Sequence, residues 1–393
     1  MKDIIISESI KYIGVDDKEV NIFENQYTVP KGMSYNSYLV LDEKNVVIDT
    51  VEEKKGKEWL ENLDCILDGK TIDYLIISHM EPDHSANILK LIERFPNIKL
   101  IGNTKTFSML PQFYDIKDLN DKKIVVNEGD EISIGKHILK FFMAPMVHWP
   151  EVMVTYEKTE KVLFTADAFG RFGSLDSIDT KEEWASEARR YYFNICGKYG
   201  YQVQELLKKV SNLDINIICS LHGSILKDDL QFYINLYDKW SKYEPEEDGV
   251  FIAYASIHGN TEKVAKKLKS ILEEKGEKVE ISDLSNNIMS ESVANAFKYG
   301  KIILASSSYN MGVFTPMEQF LNLLKGKNFQ KRIIGIVENG TWAPSAANTI
   351  KTMLNQMKDI NIIDPVVTVK TTLNEESREK LEQLAINILN INS

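Results

Sequence analysis

The sequence has 393 residues, with 58 acidic against 47 basic side chains and a formal net charge of −11. That length predicts two or three domains, each with its own core, and the acidic balance argues against nucleic acid as a partner. Cys65, Cys196 and Cys219 stand far apart without a CxxC pair, so neither a disulfide framework nor a sulfur-ligated iron or zinc site is indicated. No apolar run is long enough to span a bilayer, and residues 1–8 lack the long apolar core of a signal peptide. The expected location is cytoplasmic, with no membrane partner.

From residue 10 to 49 the pattern is short strands and turns, with residues 32–36 linking an extended segment to strands at 37–41 and 46–49. Residues 57–67 have the spacing of an amphipathic helix. The apolar run 74–77 reads as a buried strand and 85–92 as a helix. Between them stands Ser78-His79-Met80-Glu81-Pro82-Asp83-His84, which carries four metal-ligating side chains on one short loop. Extended spacing of two points His79, Glu81 and Asp83 the same way, while the adjacent Asp83 and His84 diverge towards two centres. Pro82 stiffens the loop. A helix cap with incidental histidines would account for any one of these residues, but metal clusters are the main use of such density.

A strand at 99–102 and a helix at 107–113 follow, then strands at 123–126, 131–134, 138–143, 152–156 and 162–166. Sheets covered by helices, an αββα sandwich, are the expected architecture. Three more potential ligands fall at strand ends: His148 past the strand 138–143, Asp167 at the end of 162–166, and His222 at the end of 215–221. Strand-to-loop transitions are where α/β proteins place chemistry. His137, placed within a strand, reads as structural. The seven candidates comprise four imidazoles and three carboxylates without sulfur, a set that suits two ions of iron, manganese or zinc. Asp167, with two oxygens, is the natural bridge. Anionic oxygen ligands offset charge as a metal moves between +2 and +3, which favours a redox pair of irons over redox-inert zinc.

The charged stretch 244–249 reads as a linker between residues 1–248 and a second domain, 249–393. Strands at 250–255, 278–281, 301–305, 332–337 and 365–369 alternate with helices at 261–274, 290–297, 316–324, 346–357 and 375–389. That order gives a doubly wound parallel sheet. Its first strand-to-helix turn, Ser256-Ile257-His258-Gly259-Asn260-Thr261, offers backbone N–H groups and hydroxyls to a phosphate, without a lysine or arginine. There is no Walker A motif, which argues against a nucleoside triphosphatase. Two further loops on the same edge add Ser308, Tyr309, Asn310 and Gly312, then Asn339, Gly340 and Trp342. Small residues, backbone donors and two aromatics suit a flat ring system, and a flavin mononucleotide (FMN) site is expected.

Together these features resemble the flavodiiron proteins, or A-type flavoproteins, over essentially the full length. Members join a metallo-β-lactamase-like domain to a flavodoxin-like one. The specific element is H-x-E-x-D-H, here His79 to His84. Zinc hydrolases on this fold usually carry H-x-H-x-D-H, and Glu81 stands where their second histidine would be. The resemblance implies one iron on His79, Glu81 and His148, another on Asp83, His84 and His222, and Asp167 between them. It also implies Ser256, Gly259, Asn260 and Thr261 around the FMN phosphate; His258 departs from the hydroxylated residue more usual there. The implied activity is reduction of dioxygen to water, of nitric oxide to nitrous oxide, or both, with FMN relaying electrons from a rubredoxin-like donor. The sequence carries no rubredoxin or flavin-reductase extension, so the minimal two-domain form with a separate donor is expected, assembled as a head-to-tail homodimer that can pair into a homotetramer. The alternative reading is a dinuclear zinc hydrolase with an appended flavodoxin-like module.

Overall fold

A computed structural model describes residues 4, 6–178 and 180–391; part of the N-terminal stretch read against a signal peptide, and Ser393, lie outside them. The chain forms two compact units, one of Met1–Tyr192 with Tyr201–Asp238, the other of Phe193–Gly200 with Lys239–Ser393. The second unit thus starts before the charged stretch at 244–249, half of which belongs to the strand Glu247–Ala255. Glu247 tolerates a strand position because Lys278 and Lys298 pair with it. Phe193–Gly200 joins this unit through aromatic packing, Phe193 stacking on Phe297 at 3.9 Å between ring centroids. The Tyr243 hydroxyl also donates to the Gly197 carbonyl and accepts from the Gly200 N–H.

The first unit is a sandwich of two sheets. One runs Ile10–Tyr12, Tyr38–Val40, Val46–Ile48, Tyr74–Ile76, Lys99–Gly102, Lys123–Val125; the other runs Glu131–Ser133, Ile138–Met143, Met153–Glu157, Val162–Phe164, Ile217–Cys219. Each mixes antiparallel hairpins with parallel pairs: Val46–Ile48 with Tyr74–Ile76 in the first, Val162–Phe164 with Ile217–Cys219 in the second. Inward residues of both sheets, among them Val40, Ile48, Ile76, Ile101, Phe141, Met153 and Phe164, form one buried core. Cutting any of these to alanine should cost about 2–5 kcal/mol. Helix Gly56–Leu67 lies close to its expected span, burying Trp59, Leu63 and Leu67.

Among the described residues the sequence pattern missed the short helix Leu119–Lys122 and three longer ones that lie mostly in this unit, Lys181–Ile195, Gly200–Val210 and Leu230–Ser241. The single helix expected at 85–92 is two, Pro82–Ser85 and Ile88–Arg94. Asn87 interrupts it, because its side-chain amide donates to the carbonyls of Val51 and Glu52. Met33–Tyr35, expected as part of a linking segment, is a strand paired with Val15–Asp17. His137 lies in the turn before Ile138–Met143 rather than within a strand, where Asp42 and Glu160 flank its ring.

The second unit is a doubly wound parallel sheet in the order Val279–Asp283, Glu247–Ala255, Tyr299–Tyr309, Gln330–Asn339, Lys358–Ile362. Lys358–Ile362 was not legible as a strand, since lysine, aspartate and asparagine interrupt its apolar residues. Val367–Val369 continues beside Gln330–Asn339. Helix Asn260–Glu274 buries Val264, Leu268 and Leu272 on the sheet, and Glu375–Asn390 buries Leu381, Leu384 and Ile388. Among the described residues no helix is long and apolar enough to cross a membrane.

Candidate metal centre and flavin loops

Each candidate ligand of the first unit sits where a strand runs out. The loop after Tyr74–Ile76 is fixed by Asp49, whose Oδ1 accepts from the N–H groups of Ser78 (2.7 Å) and His79 (3.2 Å). Pro82 then opens a one-turn helix that carries Asp83 and His84. Thr50 holds the far end, its N–H and hydroxyl both donating to the His84 carbonyl. Asp167 follows the strand Val162–Phe164, and His222 follows Ile217–Cys219. The turn after His222 needs Gly223, at φ +79, because a Cβ there would collide with the Arg171 side chain. Arg171 is fully buried, donating to the carbonyls of Phe172, Gly173 and Ser174 and to the Ser224 hydroxyl. It braces the loop after Asp167 against the loop after His222.

The seven residues lie in two adjacent groups: His79, Glu81, His148 and Asp167; and Asp83, His84 and His222. Glu81 Oε2 is 3.1 Å from His79 Nε2 and 3.2 Å from His148 Nε2. Asp167 divides its carboxylate between the groups. Oδ2 is 3.0 Å from His148 Nε2 and 3.7 Å from His79 Nε2, whereas Oδ1 is 3.2 Å from His84 Nε2 and 3.9 Å from His222 Nε2. Asp83 Oδ2 lies 3.4 Å from both His84 and His222. The extended-loop reading, with His79, Glu81 and Asp83 pointing one way and Asp83 diverging from His84, is thus corrected. The helix that begins at Pro82 rotates Asp83 into the group of His84.

The donor set fits a pair of cations. Nitrogen and oxygen atoms each about 2.0–2.2 Å from one ion stand roughly 3–3.5 Å apart, close to the separations within each group. Among the described residues Asp83, 7% exposed, makes no hydrogen bond with either side-chain oxygen, which is costly for a buried carboxylate without a cation. The electrostatics agree. Burial lowers the imidazole of His79, but Asp167, Glu151 and Glu81 outweigh it and hold the group well above its usual value. His148 is likewise raised to about 9 despite burial, by Asp167 and Glu81. Burial raises Asp167, yet His79, His84 and His148 bring it well below the usual range. Metal binding must displace any proton held on the Nε2 atoms of His79 and His148.

Four supporting residues escaped the sequence reading. Glu151 Oε1 lies 2.8 Å from His79 Nδ1 and accepts from the Met80 N–H. The Tyr191 hydroxyl donates to Asp167 Oδ2 at 2.9 Å. The Ser34 carbonyl lies 2.7 Å from His222 Nδ1, and Arg171 braces the two loops. Only Glu151 had a local signal, a carboxylate three positions after His148. The others depend on long-range folding.

A cavity of about 620 Å³ opens beside Glu81 and Asp83. Asp17, Glu19, Glu24 and Glu52 also line it, with Lys54 as the lone basic residue among the described ones. Burial, then the nearby charge of Glu81, pushes Glu24 up to about 7 in the metal-free protein.

In the second unit, Ser256 to Thr261 bridge the strand Glu247–Ala255 and the helix Asn260–Glu274. Gly259, at φ +81, turns the chain, and its N–H donates to the Ser256 hydroxyl. Thr261 is buried and its hydroxyl pairs with Ser307 at 2.8 Å, so it has less to offer a ligand than expected. Ser308 also looks inward, accepting from the N–H groups of Ser345 and Ala346. The Asn339 side chain holds the Thr371 backbone, which adds the unrecognised segment around Thr371 to this edge. Trp342, 91% exposed, and Tyr309, 47% exposed, remain free to flank a flat ring. Loops of backbone donors with two open aromatics fit a flavin.

Residues 33–223 match the family model described as ODP family beta lactamase, and residues 251–385 match that of a flavodoxin domain. The rubredoxin oxygen:oxidoreductase from the anaerobe Desulfovibrio gigas has a similar structure, with a TM-score of 0.91 and 27% identity, covering 98% of this chain and 97% of that one. An uncharacterized protein of Methanocaldococcus jannaschii is 33% identical over 378 residues, 95% of each chain. The anaerobic nitric oxide reductase flavorubredoxin of Aeromonas hydrophila is 29% identical over 360 residues, 89% of this chain and 72% of the relative.

Proposed function

Because the chain belongs to the flavodiiron protein family, we propose that it reduces dioxygen to water, nitric oxide to nitrous oxide, or both, at the seven-residue centre, with electrons from a rubredoxin-like donor. It is an oxidoreductase, and its cofactors are FMN and two iron ions. Reduced FMN and two ferrous ions supply four electrons in all, matching O2 + 4e⁻ + 4H⁺ → 2H2O, or two rounds of 2NO + 2e⁻ + 2H⁺ → N2O + H2O.

The observation that carries this reading is Asp167, with one oxygen turned to each group. His79, Glu81 and His148 would hold one iron, Asp83, His84 and His222 the other, and Asp167 both. The Tyr191 hydroxyl orients that shared carboxylate. The cavity lining favours gases over a hydrolase substrate. The four lining carboxylates that would hold no metal, Asp17, Glu19, Glu24 and Glu52, outnumber Lys54 and disfavour an anionic ester or phosphodiester, whereas neutral diatomic molecules are indifferent to them. Non-ligating carboxylates such as Glu24 can carry protons to the pocket, and either gas reaction consumes them.

For the FMN, Ser256, Ile257, His258, Gly259, Asn260 and Thr261 would hold the phosphate end. Ser308, Tyr309, Asn310, Gly312, Asn339, Gly340 and Trp342 would surround the ring. Electrons must pass from flavin to iron, and a head-to-tail homodimer in which each flavin serves the partner's centre is the assembly we propose; a tetramer would pair two such dimers. Cytoplasmic location belongs to the same reading. Rubredoxin in the name of the Desulfovibrio relative, and in that of the flavorubredoxin, supports the donor class. The test is anaerobic turnover after photoreduction of the flavin, with each gas supplied separately and nitrous oxide, peroxide and gas uptake measured. Zinc in both positions, with ester or phosphodiester hydrolysis and no gas uptake, would overturn the proposal.

A further inference from the structure

The two metal positions have equal charge in their immediate contacts. His79, Glu81 and His148 bring one carboxylate, Asp83, His84 and His222 bring one, and Asp167 is shared. What lies behind the imidazoles differs. His79 Nδ1 meets the carboxylate of Glu151 at 2.8 Å, with both side chains 0% exposed. Among the described residues, His222 Nδ1 meets the neutral carbonyl of Ser34 at 2.7 Å, and His84 Nδ1 makes no hydrogen bond. The other buried carboxylate nearby, Asp49, also has one oxygen without a hydrogen bond among the described residues and acts on His84 through its charge, but it hydrogen-bonds backbone N–H groups of Ser78 and His79 and no ligand imidazole. Glu151 Oε1 is shared with the Met80 N–H and Oε2 makes no hydrogen bond among the described residues, so His79 is the ligand imidazole that this carboxylate meets directly.

A carboxylate behind a ligating imidazole fixes its tautomer, here with the proton on Nδ1 and the Nε2 lone pair facing the metal. It also makes the ring a stronger donor. Added negative charge in a buried site stabilises a ferric over a ferrous ion. Resting on the diiron reading above, we infer that Glu151 makes the two positions unequal and sets the order in which they take up electrons. The position of Asp83, His84 and His222 accepts the first electron. The position of His79, Glu81 and His148 stays ferric until the second. Glu151 is in this sense a positioning residue, acting through His79, and it gives a one-electron-at-a-time supply a defined half-reduced state.

The experiment is Mössbauer spectroscopy and redox titration of ⁵⁷Fe-loaded holoprotein, wild type and Glu151→Gln. The neutral amide should alter one of the two ferric doublets, and that doublet should be the one still ferric in half-reduced wild type. The second midpoint should rise by about 60 mV, a tenfold change in a one-electron equilibrium, narrowing the gap between the two steps. The inference is overturned if the altered doublet is the one reduced first, or if neither doublet nor midpoint moves. Should Glu151→Gln fail to hold iron, the wild-type titration still decides, since uptake of both electrons in one step leaves no order to set. Metal analysis separates the two levels of the argument, because a wild-type protein without two irons per chain contradicts the diiron reading itself.

Discussion

The Nε2 atoms of His84 and His222 face each other at 3.0 Å, although the residues are 138 positions apart in sequence. With Asp83 Oδ2 at 3.4 Å from both, they converge as donors do around one ion. Two imidazoles and an unbonded buried carboxylate in this arrangement satisfy a cation better than they satisfy each other.

His222→Ala should therefore empty one position and spare the other. Iron should fall from about two per chain towards one, with the flavin spectrum unchanged. Metal analysis beside flavin absorbance measures both. Loss of flavin from this variant would contradict the assignment of the two cofactors to different domains.

Gly223→Ala should reach the same position indirectly. At φ +79 a non-glycine residue costs about 1–3 kcal/mol, and the added Cβ would collide with Arg171. We expect a lower Tm together with reduced iron, the loss falling on the His222 position. An unchanged Tm would show that the Arg171 brace yields freely.

How far this was legible in the sequence depended on whether the signal was local. His79, Glu81, Asp83 and His84 stand in one heptapeptide, and the strand before it shows as an apolar run. Which way Asp83 turns was not legible, because a short helix and an extended loop share the same residues until Pro82 decides. Lys181–Ile195 escaped because aromatic and charged residues interleave along it and blur the helical period. Glu151 and Tyr191 matter only through partners distant in the chain. In the second unit the strand–helix alternation was plain, but the inward commitments of Thr261 and Ser308 were not, since a hydroxyl on a loop looks the same whichever way it faces.

Ser256→Ala combined with Thr261→Ala should weaken FMN retention. Hydrogen bonds to a charged group contribute about 1.5–3 kcal/mol each, so a loss of the Ser256 contact alone predicts a roughly tenfold to hundredfold rise in Kd. The iron content should stay at two. Fluorescence of released FMN gives the Kd, and an unaltered value would mean that the phosphate is held elsewhere.

His137 predicts a pH dependence of stability far from the chemistry. Burial lowers its pKa, but Asp42 at 2.6 Å and Glu160 at 3.2 Å raise it overall, with Glu157 adding its charge. That stabilisation is complete below the unfolded imidazole value, about 6.5, and is lost as pH rises through the raised folded value. Against its burial, Asp42 is lowered to about 2 by hydrogen bonds from His137 and Glu43, so its share is present above about 4 and lost as pH falls. His137→Asn should destabilise the protein by about 1–3 kcal/mol near pH 5–6 and by less as pH rises through the raised folded value. Urea denaturation at pH 5–6 and at successively higher pH measures the difference; a loss that does not shrink as pH rises would show that the charge of the imidazole contributes nothing to it.

The central claim meets its most direct test in a single-turnover titration of the fully reduced holoprotein with dioxygen, beside Asp167→Ala reduced in the same way. Per chain, the wild type should return four electrons to one dioxygen without free peroxide, and the same protein given nitric oxide should yield nitrous oxide. Asp167→Ala, keeping its flavin, should return no more than the flavin's two electrons, and those as peroxide. Release of stoichiometric peroxide by the wild type, with no nitrous oxide from nitric oxide, would contradict the claim.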